Sequence, residues 1–92
     1  MKATDTAAHL ERLAGELRAR GWPATVRTEQ GRRPALHVRN PRAPRLNDEV
    51  VADDAAFRWT WGQGIGPLTE TPGVADRIQY VLREADAVEA DQ

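Results

Sequence analysis

Apolar residues recur at Leu10, Leu13, Ala14 and Leu17, while His9, Arg12, Glu16 and Arg20 fall between them. This i, i+3, i+4, i+7 spacing puts the apolar side chains on one stripe of a helix, and it predicts an amphipathic helix over about 5–20. Thr4, Asp5 or Thr6 can cap its start; Gly21 stands where a left-handed residue ends a helix, and Pro23 prevents continuation. Beyond Pro23 the period changes to two. Ala24, Val26 and Thr28 alternate with Thr25 and Arg27, and Leu36 and Val38 with His37 and Arg39; alternation of this kind predicts two strands. Glu29-Gln30-Gly31-Arg32 supplies a glycine for the hairpin between them.

Asn40-Pro41-Arg42-Ala43-Pro44-Arg45 reads as a loop, because two prolines remove backbone donors and push their predecessors away from helix. A third strand is expected over Asn47 to Ala52, a turn at Asp53-Asp54-Ala55, and a fourth strand over Ala56 to Trp61. In that last strand Phe57, Trp59 and Trp61 share one face, and Arg58 and Thr60 the other. Gly62 to Pro67 reads as irregular. Thr71-Pro72 then supplies an N-cap followed by proline at the first helical position, and Val74, Ile78, Val81, Leu82 and Ala85 form the stripe of a second helix with Asp76 in its first turn. The acidic tail, 86–92, is expected to fray.

The order helix, four strands, helix implies an α+β fold in two layers, α-β-β-β-β-α: a four-stranded antiparallel meander with two helices on one face. The other face is polar and carries Arg27, His37, Arg39, Arg58 and Thr60. A chain of 92 residues has one hydrophobic core and forms a single domain over 1–92. There is no cysteine, which rules out disulfides, thiolate metal sites and a thiol nucleophile and fits a reducing cytoplasm. No apolar run is long enough to span a bilayer, and the charged amphipathic start lacks the apolar core of a signal peptide. Neither secretion nor membrane insertion is expected.

Net charge is −1, unevenly placed. Eight arginines between Arg18 and Arg45 face Glu29 alone, whereas ten carboxylates from Leu46 onward face only Arg58, Arg77 and Arg83. The basic block suggests a phosphate-binding surface, but the acidic half is large enough to neutralise it within the fold or across a dimer. Three of the five aromatic residues lie in Phe57-x-Trp59-x-Trp61. On an exposed face they would stack bases or prolines; as the largest apolar groups in a small domain they are expected to be its core, hidden beneath the helices. Gly62-x-Gly64-x-Gly66 follows a strand and precedes a helix, as phosphate-cradling loops do. It lacks a P-loop lysine and a following strand, so its glycines are read as turning the chain past the tryptophans. His9 and His37 have no nucleophile or second ligand at helical spacing and are expected on the solvated surface. Asp48-Glu49 and Asp53-Asp54 suit a hard cation only in the generic sense that turn-forming acids do. No cofactor, metal or catalytic residue is expected.

Four strings resemble those of small uncharacterised actinomycete proteins: Leu17-Arg18-Ala19-Arg20-Gly21, Val38-Arg39-Asn40-Pro41, Phe57-x-Trp59-x-Trp61-Gly62-x-x-Ile65-Gly66-Pro67 and Ala75-Asp76-Arg77-Ile78-x-x-Val81-Leu82. The resemblance runs from about Leu10 to Arg83 and falls on caps, turn residues and core aromatics. It implies an accessory or regulatory companion, a role such proteins sometimes have beside helix-turn-helix regulators, and no activity. The chain itself offers no helix placed to enter a major groove. The expected function is a non-enzymatic protein–protein interaction or regulatory accessory module, with self-association through an edge strand or helix face as one form of contact. The alternative is nucleic-acid binding through segment 18–45, on a surface of Arg27, Arg32, Arg33, Arg39, Arg42, Arg45 and Arg58.

Overall fold

The computed structural model describes residues 5–28, 31 and 33–83. Helix α1 covers Asp5–Ala19, and its stripe residues Leu10, Leu13, Ala14 and Leu17 are all fully buried. The helix closes as the sequence requires. Gly21 adopts φ 85°, its amide donates to the Arg18 carbonyl and that of Trp22 to the Leu17 carbonyl. These two bonds satisfy carbonyls that a helix end otherwise leaves bare.

Five strands follow: β1 (Ala24–Arg27), β2 (Ala35–Asn40), β3 (Ala43–Ala52), β4 (Ala56–Trp59) and β5 (Gly64–Pro67), then helix α2 (Thr71–Val81). They form one antiparallel sheet in sequence order. The expected α+β meander is present, with a fifth strand where an irregular loop was expected. α1 lies over β1 to β3, α2 lies against β5, and the helices pack side by side. One cluster joins both helices to the inward residues Leu36, Val38, Val50, Phe57 and Trp59, and among the described residues no helix covers the opposite sheet face. Arg20 links the helices: its guanidinium bonds Glu16 on α1, and Asp76 and Gln79 on α2. Asp76 therefore acts between helices rather than on the first turn of α2. The start of α2 also shifts by one residue. Glu70 is its N-cap, without a side-chain bond, and Thr71 is buried inside the helix. Thr4, Glu29, Gln30, Arg32, Ala85 and the tail lie outside the described residues.

The expected loop at 40–45 is a tight hairpin. Asn40 pairs with Ala43 across a two-residue turn, and Pro44 belongs to β3. A proline is tolerated there because the register with β2 shifts between Ala43 and Asn47 of β3, and β4 pairs only from Val50 onward, so no ladder donor is required of it. Asn40 itself is buried. Its Oδ1 accepts from the amides of Arg42 (2.8 Å) and Ala43 (3.3 Å), and its Nδ2 donates to the Leu82 carbonyl at 2.8 Å. One side chain thus closes the turn and fixes the end of α2 to the sheet.

β5 forms because β4 stops at Trp59. Gly62 takes φ 112° and donates to the Trp59 carbonyl at 2.9 Å, while the Trp59 amide donates to Gln63 across a three-residue loop. Gly66 serves a different end. A Cβ there would lie 2.9 Å from Val74 Cγ2 of α2, and a buried β-branched side chain has little freedom to yield. Gly66→Ala is expected to cost about 1–3 kcal/mol, read as a lower urea midpoint at unchanged slope; an unshifted midpoint would mean that α2 does not press on β5.

Candidate functional site

The arginine surface is only partly assembled. Arg27, Arg39 and Arg58 are exposed on β1, β2 and β4, and Arg45 is exposed where β3 runs beyond β4. Arg33 lies in the β1–β2 connection and Arg42 in the β2–β3 turn, at opposite ends of β2. Six strand residues separate those ends by roughly 20 Å. Arg27 and Arg58 are compensated by acids. Arg27 lies 3.7 Å from Glu49, and Arg58 Nε donates to Asp53 Oδ2 at 2.6 Å. Within the same block, Arg18 donates to the Ala24 carbonyl and Arg20 joins the helices, so both are structural. Arg32 lies outside the described residues.

Asp53 closes the β3–β4 turn, its Oδ1 accepting from the amides of Ala55 and Ala56 at 2.8 Å. The Arg58 guanidinium first, and those amides second, hold its carboxyl down to about 2 from an ordinary value of 3.8. A lowered carboxylate value means that the contribution is complete above about pH 4 and is lost as pH falls toward 2. Because Asp53 is partly open to water, that contribution is below about 1 kcal/mol. Asp53→Asn should therefore be less stable than wild type at pH 6, with the gap narrowing below about pH 4 and closing only once pH falls below about 2 in acid titrations of urea midpoints; a gap of undiminished size below that point would remove the ion pair as its source. This is turn chemistry. Among the described residues no three His, Asp or Glu side chains gather as metal ligands.

His37 meets Asn47 at 3.2 Å on the open face. His9 departs from expectation: it is half-buried, and its Nδ1 is concealed with no hydrogen-bond partner among the described residues.

The aromatic string departs further. Phe57 and Trp59 are buried, but Trp61 is 58% exposed. The alternation that would carry Trp61 into the core ends with β4 at Trp59, and the turn at Thr60–Gly62 swings it outward. Its ring stacks on Trp59, centroids 5.9 Å apart and planes 6° from parallel, and its Nε1 donates to Asp48 Oδ2 at 2.8 Å. Beside Trp59 opens a groove of about 330 Å³ between β5 and α2, walled by Gln63, Ile65, Arg77, Tyr80 and Val81. Tyr80 is 64% and Val81 48% exposed. Val81 belongs to the α2 stripe by spacing, but as the last residue of the helix it stays exposed at the groove wall. A second hollow of about 250 Å³ continues along β5 past Gly66 and Pro67, with Glu70 and Gly73 on the helix side. Arg77 borders both hollows, is exposed, and forms no ion pair among the described residues. Arg83 caps the Tyr80 ring at 4.0 Å.

This groove was not legible as a site. Gln63, Arg77 and Tyr80 lie far apart in sequence, and the one available signal was Tyr80, a large ring one position away from the apolar stripe. The glycine run does not form a phosphate cradle, because Gly64 and Gly66 are in an extended strand paired to β4. No protein-family model, curated protein or solved structure matches the chain. The fold and site define a two-layer α+β domain with an open basic sheet face and an aromatic groove at its β5–α2 margin. Among the described residues no helix is long and apolar enough to cross a membrane.

Proposed function

We propose that this domain is a non-enzymatic interaction module, an accessory or regulatory component working in a reducing cytoplasm, and that it holds a protein partner at the β5–α2 groove. The observation that carries this reading is the exposure, among the described residues, of Trp61, which stacks on Trp59, and of Tyr80 and Val81, which wall the groove beside Trp59 together with an Arg77 that has no ion pair among those residues. Isolated exposed apolar groups are ordinary, but contiguous ones mark interaction surfaces. Trp, Tyr and Arg are also the residue types that dominate binding energy at such surfaces. The alternative, nucleic acid on the arginine face, is weakened by the pairing of Arg27 and Arg58 with acids and by the placement of Tyr80 at the groove.

Site-specific photocrosslinking in the native host separates the two. A benzophenone amino acid in place of Tyr80 should give a discrete protein adduct, and the same group in place of Arg39 on the open face should not. Adducts from Arg39 alone, or salt-sensitive retention on nucleic acid that Arg39→Glu abolishes, would replace the groove with the arginine surface.

A further inference from the structure

Resting on that reading, we propose that the groove takes an extended peptide segment, laid along the free edge of β5, that carries a carboxylate beside a large apolar side chain. β5 is the outermost strand of the sheet, and an outermost strand has one row of backbone groups without a strand partner. Extended peptides bind such edges by adding a strand, with side-chain pockets supplying specificity. Here the pockets are already arranged along the edge. The two hollows follow β5 from Gly64 to Pro67 and meet at Ile65 and Arg77, with α2 as their common wall. A strand of four residues spans about 13 Å, enough for two side chains of an added strand to point the same way at a spacing of about 7 Å.

Among the described residues the space beside Gly64 is open, whereas at Gly66 α2 approaches closely. Gly64 has no side chain, and a Cβ built on it would meet no atom within 4 Å. Pro67 has no N–H, so pairing stops there and the edge resists indefinite sheet extension.

Charge selects the occupant. The larger hollow has apolar walls in Trp59, Ile65, Tyr80 and Val81, and its one charged wall residue is Arg77. Arg83 lies over the Tyr80 ring. A leucine- or phenylalanine-sized side chain fills the walls, and an adjacent carboxylate neutralises Arg77 in a fork geometry that guanidinium favours. Glu70 borders only the smaller hollow, which sets the peptide's polarity: acid toward Gly64, neutral or basic toward Pro67. A second copy of this chain fits poorly. Its other sheet edge, β1, presents Arg27, and a symmetric β5–β5 pairing would bring Arg77 toward its own copy.

The test is selection from a phage library of random heptapeptides against the intact protein and against Arg77→Glu, an exposed change whose folding is checked by circular dichroism. The wild type should enrich sequences with Asp or Glu within two positions of Leu, Ile, Val or Phe. A synthetic consensus peptide should perturb tryptophan fluorescence, bind Arg77→Glu at least tenfold more weakly, and lose binding when alternate amides are N-methylated. Arg77→Glu should instead enrich Lys or Arg. Absence of enrichment, enrichment unchanged by Arg77→Glu, or indifference to N-methylation would overturn the proposal. If Tyr80 crosslinks a partner while the library yields nothing, the groove docks a folded surface: the peptide proposal fails and the interaction reading stands. A concentration-dependent dimer in sedimentation that Arg77→Glu alters would make a second copy the occupant and overturn the proposal equally.

Discussion

Phe57→Ala should cost about 3–5 kcal/mol, whereas Trp61→Ala, two residues along, should cost about 0.5–1.5 kcal/mol. A domain of this length is stable by roughly 5–13 kcal/mol, so the first change threatens folding near physiological temperature and the second leaves the protein intact. Phe57 is fully enclosed beneath the helices. Removing its ring forfeits transfer free energy and leaves a cavity that the rest of the core cluster, already packed, fills only in part. Trp61 gives up a stack on Trp59 and one bond to Asp48, both beside water that substitutes for much of what is lost. Urea unfolding of the two variants measures the contrast. Equal losses would put Trp61 in the core and remove one of the exposed rings on which the proposed interaction surface rests.

Asn40→Ala should cost about 2–3 kcal/mol, because it leaves the Leu82 carbonyl and the Arg42 and Ala43 amides without their buried partner. Asn40→Asp divides those roles. It keeps the acceptor for the two amides but turns a carboxylate oxygen toward the Leu82 carbonyl, so it should be most damaging at neutral pH and partly relieved in acid, where a protonated oxygen can donate again. The consequence reaches the groove. Leu82 directly follows the helix bearing Arg77, Tyr80 and Val81, and Asn40 ties that end of α2 to the sheet. Amide hydrogen exchange should show faster opening at the last turn of α2 in Asn40→Ala than at α1; uniform acceleration would mean that Asn40 supports the whole fold rather than this junction.

Much of the architecture was legible because it follows from local rules. The stripe of α1 is buried residue for residue, Gly21 closes that helix in the conformation its position implied, and Gly31, at φ 79°, takes the left-handed turn expected between β1 and β2. Errors arose where a short-range rule met a competing contact. Proline argued against strand at Pro44, but a proline costs a strand nothing where no neighbour asks for its amide. Glycines argued for a loop at Gly64 and Gly66, but pairing to β4 and the close approach of Val74 make an extended glycine segment favourable. Strict alternation argued for a buried Trp61, yet alternation holds only while the strand lasts, and Gly62 ended it two residues early.

The sequence by itself determined the α+β class, the two helices, the order of the first four strands and the polar sheet face, because periodicity and turn chemistry act over a few residues. Tertiary structure alone decided that β5 joins the sheet, that Asn40 reaches Leu82 across 42 positions, and that Arg20 spends its charge between helices. It also decided that Trp59, Ile65, Arg77 and Tyr80 meet at one groove. Those outcomes depend on which surfaces are left uncovered once two helices of limited length are laid on a five-stranded sheet, a quantity that no local pattern contains.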